Sequence, residues 1–233
     1  MKVFVGYDTR EDMAYQVCKH SIERHSPTAQ VIPLKQNDLK RQGWYSRSPD
    51  KLASTEFTFT RFLVPELANF NGWAVFMDCD MLLRTDIAEL FAQADDTKAI
   101  MCVQHDYAPK EGIKMDGQTQ TVYPRKNWSS MMLINCGHPA NKRLNIDLVN
   151  EKELNGAYFH RFSWLVDQDG HQNDNLIGEL SPEWNWLVGH YKEPEDGTPK
   201  LLHYTEGGPW FENYRNCEYN QEWKQELQDM MNG

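Results

Sequence analysis

Short apolar runs alternate with polar, helix-periodic stretches along the first hundred residues. KVFVG at 2–6 predicts a strand, and a helix follows it to about His25. Thr9 and Asp12 are spaced as a capping box for that helix, and Pro27 marks the turn out of it. AQVIPL at 29–34 predicts a second strand, and the polar stretch 35–51 reads as loop. Ser54 can cap a helix over 55–67, interrupted near Pro65. WAVFM at 73–77 is continuously apolar, as in a central strand covered on both faces. Thr85 can cap a helix through about Gln93. KAIMCVQ at 98–104 and SSMMLINC at 129–136 predict two further strands, and 139–154 predicts a helix starting at Pro139. Beyond that the pattern loosens. Alternating strands and helices predict an α/β domain with a mostly parallel sheet flanked by helices.

The 233 residues suit one domain, with a break between its halves in the Gly-, Pro- and Lys-containing stretch 105–125. At 40% hydrophobic and 25% charged, the chain predicts a packed core rather than disorder. The formal charge of −10 would repel nucleic-acid phosphates, so nucleic acid is not an expected partner. No stretch approaches 18 uncharged apolar residues, so no transmembrane segment is expected, and MKVFVGYD does not read as a secretory signal. Five scattered cysteines without a CxxC pair predict reduced thiols and a cytoplasmic location. Eight tryptophans suit a core and also suit stacking on sugars.

The chemistry concentrates at Asp78-Cys79-Asp80, directly after the WAVFM run. Ligands of open α/β sheets bind beyond the carboxyl ends of strands. In extended backbone, side chains at i and i+2 point the same way, so both carboxylates can face one point. They repel each other there unless one is protonated or a cation lies between them. A hard dication such as Mn²⁺ or Mg²⁺ suits these oxygens and commonly takes further oxygens from substrate phosphates. The plainer reading makes both aspartates solvated turn residues. Cys79 reads as a small buried spacer.

The stretch FTFTRFLVPELANFNGWAVFMDCDMLLRTDIAELF resembles the core of the GT-A glycosyltransferases, in particular the retaining, glycogenin-like family 8. SSMMLINC, LSPEWNWL and LLHYTEGGPW are similar to later elements of that family, in the same order. The resemblance implies a GT-A (Rossmann-like) fold with a mixed, mostly parallel sheet. It implies a donor half over 1–105 and an acceptor half over 106–233. It also implies transfer of a sugar from a nucleoside-diphosphate sugar, UDP-linked by family habit, to a carbohydrate or other hydroxyl acceptor, with anomeric configuration retained. By resemblance, Asp78, Asp80 and His203 bind Mn²⁺ (or Mg²⁺), Tyr7 and Asp8 meet the nucleobase, and Arg61 lies near the donor.

Two departures from the family pattern stand out. The family's lysine before the terminal Pro-Trp is replaced here by Gly208. Leaving-group charge then falls to the metal, Arg61, Lys200 or the N–H groups of Gly207 and Gly208. The family's Asp-Gln element has two candidates, Asp167-Gln168 and Asp174, and spacing to LSPEWN favours Asp174 near the anomeric carbon. Stretch 105–128 is expected to border the acceptor, with Lys126, Asn127 and Trp128 as candidates. Two other readings use the same residues. One is a haloacid-dehalogenase-like phosphohydrolase, in which the first Asp is the nucleophile; Leu82 then stands where that family has Thr or Val. The other is a nucleotide-sugar-binding module without turnover.

Overall fold

The computed structural model describes residues 1–50, 53–106, 112–113, 119–120 and 125–233. Its first part holds β1 (Lys2–Tyr7), α1 (Asp12–His25), β2 (Gln30–Lys35), α2 (Gln36–Arg41) and α3 (Val64–Leu67). Next come β3 (Trp73–Met77), β4 (Met81–Leu83), α4 (Ala88–Phe91), β5 (Ile100–Cys102), β6 (Gly112–Ile113) and β7 (Thr119–Gln120). Then follow β8 (Met131–Asn135), α5 (Ile146–Asn150), α6 (Gly156–His160) and β9 (Ile177–Glu179). The chain closes with β10 (Trp186–Leu187), β11 (Leu201–His203) and α7 (Asn220–Asn232).

Six strands form the main sheet in the order β2-β1-β3-β8-β5-β9. The β1–β2, β1–β3 and β5–β9 pairs are parallel, while β8 runs antiparallel to both β3 and β5. So the carboxyl ends of β1, β3, β5 and β9 share one edge. Val3–Val5, Ala74–Met77 and Met131–Ile134 are buried on both faces, which explains their unbroken apolar runs. The expected α/β sheet flanked by helices is the observed architecture.

A second, three-stranded sheet has the order β10-β11-β4. β4 pairs antiparallel with β11 in a register that sets His203 opposite Met81. Val17, Leu82, Trp186, Leu202, Tyr204 and Trp223 form a separate buried cluster behind this sheet. It joins α1, β4, β10, β11 and α7 into one packed unit.

Several local expectations give way to packing. Asp8, not Thr9, caps the turn before α1, its carboxylate accepting Arg10 N–H at 3.0 Å; the Thr9 hydroxyl donates instead to Glu56. The polar stretch 35–51 contains α2. Residues 55–67 do not form one helix: turns and a 3₁₀ segment (Thr60–Leu63) precede α3. Every residue from Phe57 to Pro65 is buried, so this segment wedges into the core and has no solvent face for a regular amphipathic helix. Just before α4 it is Asp86, not Thr85, whose carboxylate accepts a backbone N–H, that of Ala88 at 2.9 Å; the Thr85 hydroxyl donates to Glu89. The single helix expected over 139–154 splits into a 3₁₀ turn (Pro139–Arg143) and α5, because Asn145 caps Leu148 N–H at 2.9 Å and restarts the helix. Most of the expected break at 105–125 lies outside the described residues. Among those described, no helix is long and apolar enough to cross a membrane.

The unpredicted α7 is clasped to α1 by one carboxylate. Glu226 is buried and contacts His20 Nδ1 at 2.7 Å and Arg24 at 2.5 Å. Glu226→Ala should cost about 1–2 kcal/mol in urea denaturation, since it removes charge-assisted bonds from a buried group whose partners remain half wet. An unchanged midpoint would show that the clasp does not hold α7.

Candidate metal and substrate site

The site forms where the carboxyl end of β3 meets the end of β11. β3 stops at Met77, and Asp78 N–H then donates to Ser130 O at 2.8 Å, ending the strand without leaving the sheet edge. Cys79 is fully buried and turns into the core, so Asp78 and Asp80 share the opposite side. The Tyr204 N–H donates to Asp80 O at 2.9 Å, extending the β4–β11 pairing up to the acids. One ligand atom each from Asp78, Asp80 and His203 lies within 4.8 Å of the others. His203 Nε2 stands 3.4 Å from Asp80 Oδ2.

A hydrogen-bond chain fixes the His203 ring. The Ser130 hydroxyl donates to Asn127 O at 2.6 Å, so it accepts from Asn185 Nδ2 at 2.9 Å. Asn185 Nδ2 also donates to Asn127 O at 3.3 Å. The Asn185 amide oxygen therefore faces His203 Nδ1 at 2.8 Å, and that nitrogen must carry the proton. In the neutral ring the Nε2 lone pair is left facing the two acids. Two carboxylates and one such imidazole nitrogen form a donor set that suits Mn²⁺ or Mg²⁺.

Arg61 supplies positive charge from below. It is buried, donating to Asp78 Oδ1 and Ser129 O at 2.8 Å each. Its guanidinium lies 4.9 Å from the Phe76 ring and 5.1 Å from the Phe57 ring. It is thus an internal counter-ion that sets Asp78 rather than a helix-surface residue.

Two further acids crowd the edge. Asp8 is fully buried, accepting from Arg10 at 2.7 and 2.9 Å and from Glu56 N–H at 3.1 Å. Burial works against its charge, but the Arg10 and backbone donors outweigh it and hold the carboxyl below its usual range. Glu11 is buried, and among the described residues no Lys or Arg forms an ion pair with it. Burial, and then the charges of Asp80, Asp8 and Asp78, push it from its ordinary 4.5 up to about 8. A dication among these groups would relieve that crowding.

The other expected residues are placed as follows. The Tyr7 hydroxyl donates to Asp12 at 2.8 Å, Tyr15 meets its ring edge-on, and Lys35 Nζ sits 4.4 Å from its centroid. Gly207 has φ +132° and donates its N–H to Tyr204 O, so of the glycine pair it is Gly208 that can offer an N–H to phosphate. A Cβ on Gly208 would come within 1.9 Å of the Trp210 ring, which explains glycine there by packing alone. Lys200 is engaged with Glu89 at 3.0 Å and lies over Trp184. Asp174 is exposed and pairs with Arg125 at 2.6 Å; its bonds run to Arg125 and Gln172, not to the triad. Asp167 accepts the Asp169 and His171 N–H groups of its own turn. Of the acceptor-side candidates, Lys126 is buried and Trp128 donates to His105 O at 3.1 Å, while most of 105–124 lies outside the described residues. Asn185 and Glu11 escaped the sequence reading. Asn185 stands inside LSPEWN, where the motif gave no hint of its partner, and Glu11 looked like one more acid at a helix start.

No family model matches the chain. It is 52% identical over 232 residues to Protein CDI of Arabidopsis thaliana, covering 98% of this chain and 86% of that protein. The apo glycosyltransferase GlyE of Streptococcus pneumoniae TIGR4 matches 99% of this chain at TM-score 0.61 and 15% identity. The present chain spans 62% of GlyE's length. The galactosyltransferase LgtC, solved with donor and acceptor sugar analogs, matches at TM-score 0.54 and 12% identity, covering 98% of this chain and 96% of LgtC. At such identities these likenesses show a shared GT-A-type fold.

Two measurements test the site's electrostatics. Asn185→Ala frees the His203 ring and should weaken Mn²⁺ binding by about tenfold or more in calorimetry; equal affinity would remove Asn185 from the site. A carboxyl whose pKa rises on folding holds its proton more tightly when folded. Metal-free protein in EDTA should therefore lose stability as pH climbs from about 5 to about 8. Glu11→Gln, which has no proton to lose, should flatten that slope; an unchanged slope would contradict the crowding of acids around Glu11.

Proposed function

We propose, from the premise that this chain belongs to the family of the Arabidopsis thaliana Protein CDI, that it is a metal-dependent glycosyltransferase. It moves a sugar from a nucleoside-diphosphate sugar, UDP-linked, to a hydroxyl acceptor with retention of anomeric configuration. The observation that carries this reading is the convergence of Asp78, Asp80 and His203 at the carboxyl edge of a GT-A-type sheet. Asp78, Asp80 and His203 Nε2 would hold Mn²⁺ or Mg²⁺. When bound, such an ion supplies Lewis-acid stabilisation of the negative charge that builds on a departing diphosphate.

The chain's own groups do the rest. Arg61 orients Asp78 and keeps a positive charge beneath the site. Asn185 keeps the His203 Nδ1 proton in place, so Nε2 stays a ligand. Tyr7 and Asp8, at the end of β1, meet the nucleobase. The Gly208 N–H faces phosphate oxygen where the resembling family places a lysine. Asp174, with Arg125, contributes to the acceptor side. Residues 1–105 form the donor half and 106–233 the acceptor half, with β11 crossing back to complete the metal site. Unpaired thiols at all five cysteines fit a reducing, cytoplasmic setting.

The test is turnover of UDP-glucose, UDP-galactose and UDP-N-acetylglucosamine with Mn²⁺, read as UDP release. Asp80→Asn should lower the rate by about a hundredfold or more, the scale of losing an electrostatic partner of the transition state. Undiminished release by a folded Asp80→Asn protein would remove the metal role.

A further inference from the structure

His105 sits just beyond β5, on the same sheet edge as Asp78 and Asp80. Only 5% of it is exposed. Its Nδ1 is 2.7 Å from the Tyr191 hydroxyl, and its carbonyl accepts Trp128 Nε1 at 3.1 Å. Its Nε2 is buried and makes no hydrogen bond among the described residues. Leaving such an atom unpaired is costly, and native structures seldom do it without a reason.

The surroundings define what the atom can bind. Burial, and then the nearby His203 and His190, drive the ring's pKa down to about 3, so it is neutral at physiological pH. The group with metal-ligand spacing comprises Asp78, Asp80 and His203 and does not include His105. A neutral ring is a poor partner for phosphate, which calls for charged or multiple donors. The Tyr191 hydroxyl can donate to Nδ1 or accept from it, so Nε2 can present either an N–H or a lone pair. A sugar hydroxyl, itself both donor and acceptor, matches either state. The ring is also held firmly: Tyr191 packs 5.9 Å from it and 5.2 Å from Trp186.

Resting on the glycosyltransferase reading, we propose that His105 is a substrate-binding residue whose Nε2 hydrogen-bonds a sugar hydroxyl beside the Asp78–Asp80–His203 triad. That hydroxyl belongs to the donor sugar or to a saccharide acceptor.

The test uses the full chain with Mn²⁺ and compares wild type with His105→Phe, which keeps a flat ring against Tyr191. Calorimetry gives affinities for UDP, UDP-glucose and UDP-galactose. Saturation-transfer NMR reads binding of glucose, galactose and lactose to the UDP-loaded protein. If the hydroxyl is the donor's, affinity for a UDP-sugar falls about tenfold while that for UDP changes less than twofold. If it is the acceptor's, all three nucleotide affinities hold and the saccharide signal is lost. Wild-type values in both arms would overturn the inference. Should His105→Phe fail to fold, His105→Leu, which likewise has no polar side-chain atom, is put through the same two arms and judged by the same outcomes. A wild-type protein that binds no UDP-sugar would sink the transferase reading and this inference with it, and would be seen before any substitution is made.

Discussion

The antiparallel pairing of β4 with β11 is the constraint on which the site depends. Asp80 and His203 are far apart in the chain, and this short ladder brings them together, with His203 Nε2 3.4 Å from Asp80 Oδ2. The ladder is too short to stand alone. It is braced from behind by Leu82, Trp186, Leu202, Tyr204 and Trp223, and α7 closes that cluster through the clasp of Glu226 on α1. The late, aromatic part of the chain is therefore a support that holds one imidazole against two acids.

Charge explains the rest of the arrangement. Asp8, Glu11, Asp78 and Asp80 lie together at an edge where burial leaves little water to screen them. Arg10 answers Asp8 and Arg61 answers Asp78, each by direct hydrogen bonds. Glu11, pressed by burial and by these neighbouring charges, responds by holding its proton. A cation placed among them would lift that strain, so folding stability and metal affinity are linked through the same four groups.

The central strands were legible because burial on both faces writes an unbroken apolar run, as in WAVFM and SSMMLINC. The acids of the site were legible because they follow such a run directly. His203 was legible only through its resemblance to a family motif, since nothing local marks a histidine as a partner of residues so distant. Segment 55–67 misled because its aromatics look helix-compatible, yet they are buried on every side. α7 was invisible because its amphipathic face is thin and its anchor is a buried glutamate, which reads as surface. Asn185 could not be assigned because its role lies in which way its amide points, and only Ser130 and the Asn127 carbonyl decide that.

The most direct test of the account is a crystal grown with Mn²⁺ and UDP and examined for anomalous scattering. A peak about 2.1 Å from Asp78 and Asp80 oxygens and from His203 Nε2, touching diphosphate oxygens, is the predicted result. No peak at the triad, or a manganese ion bound elsewhere with UDP, would contradict it.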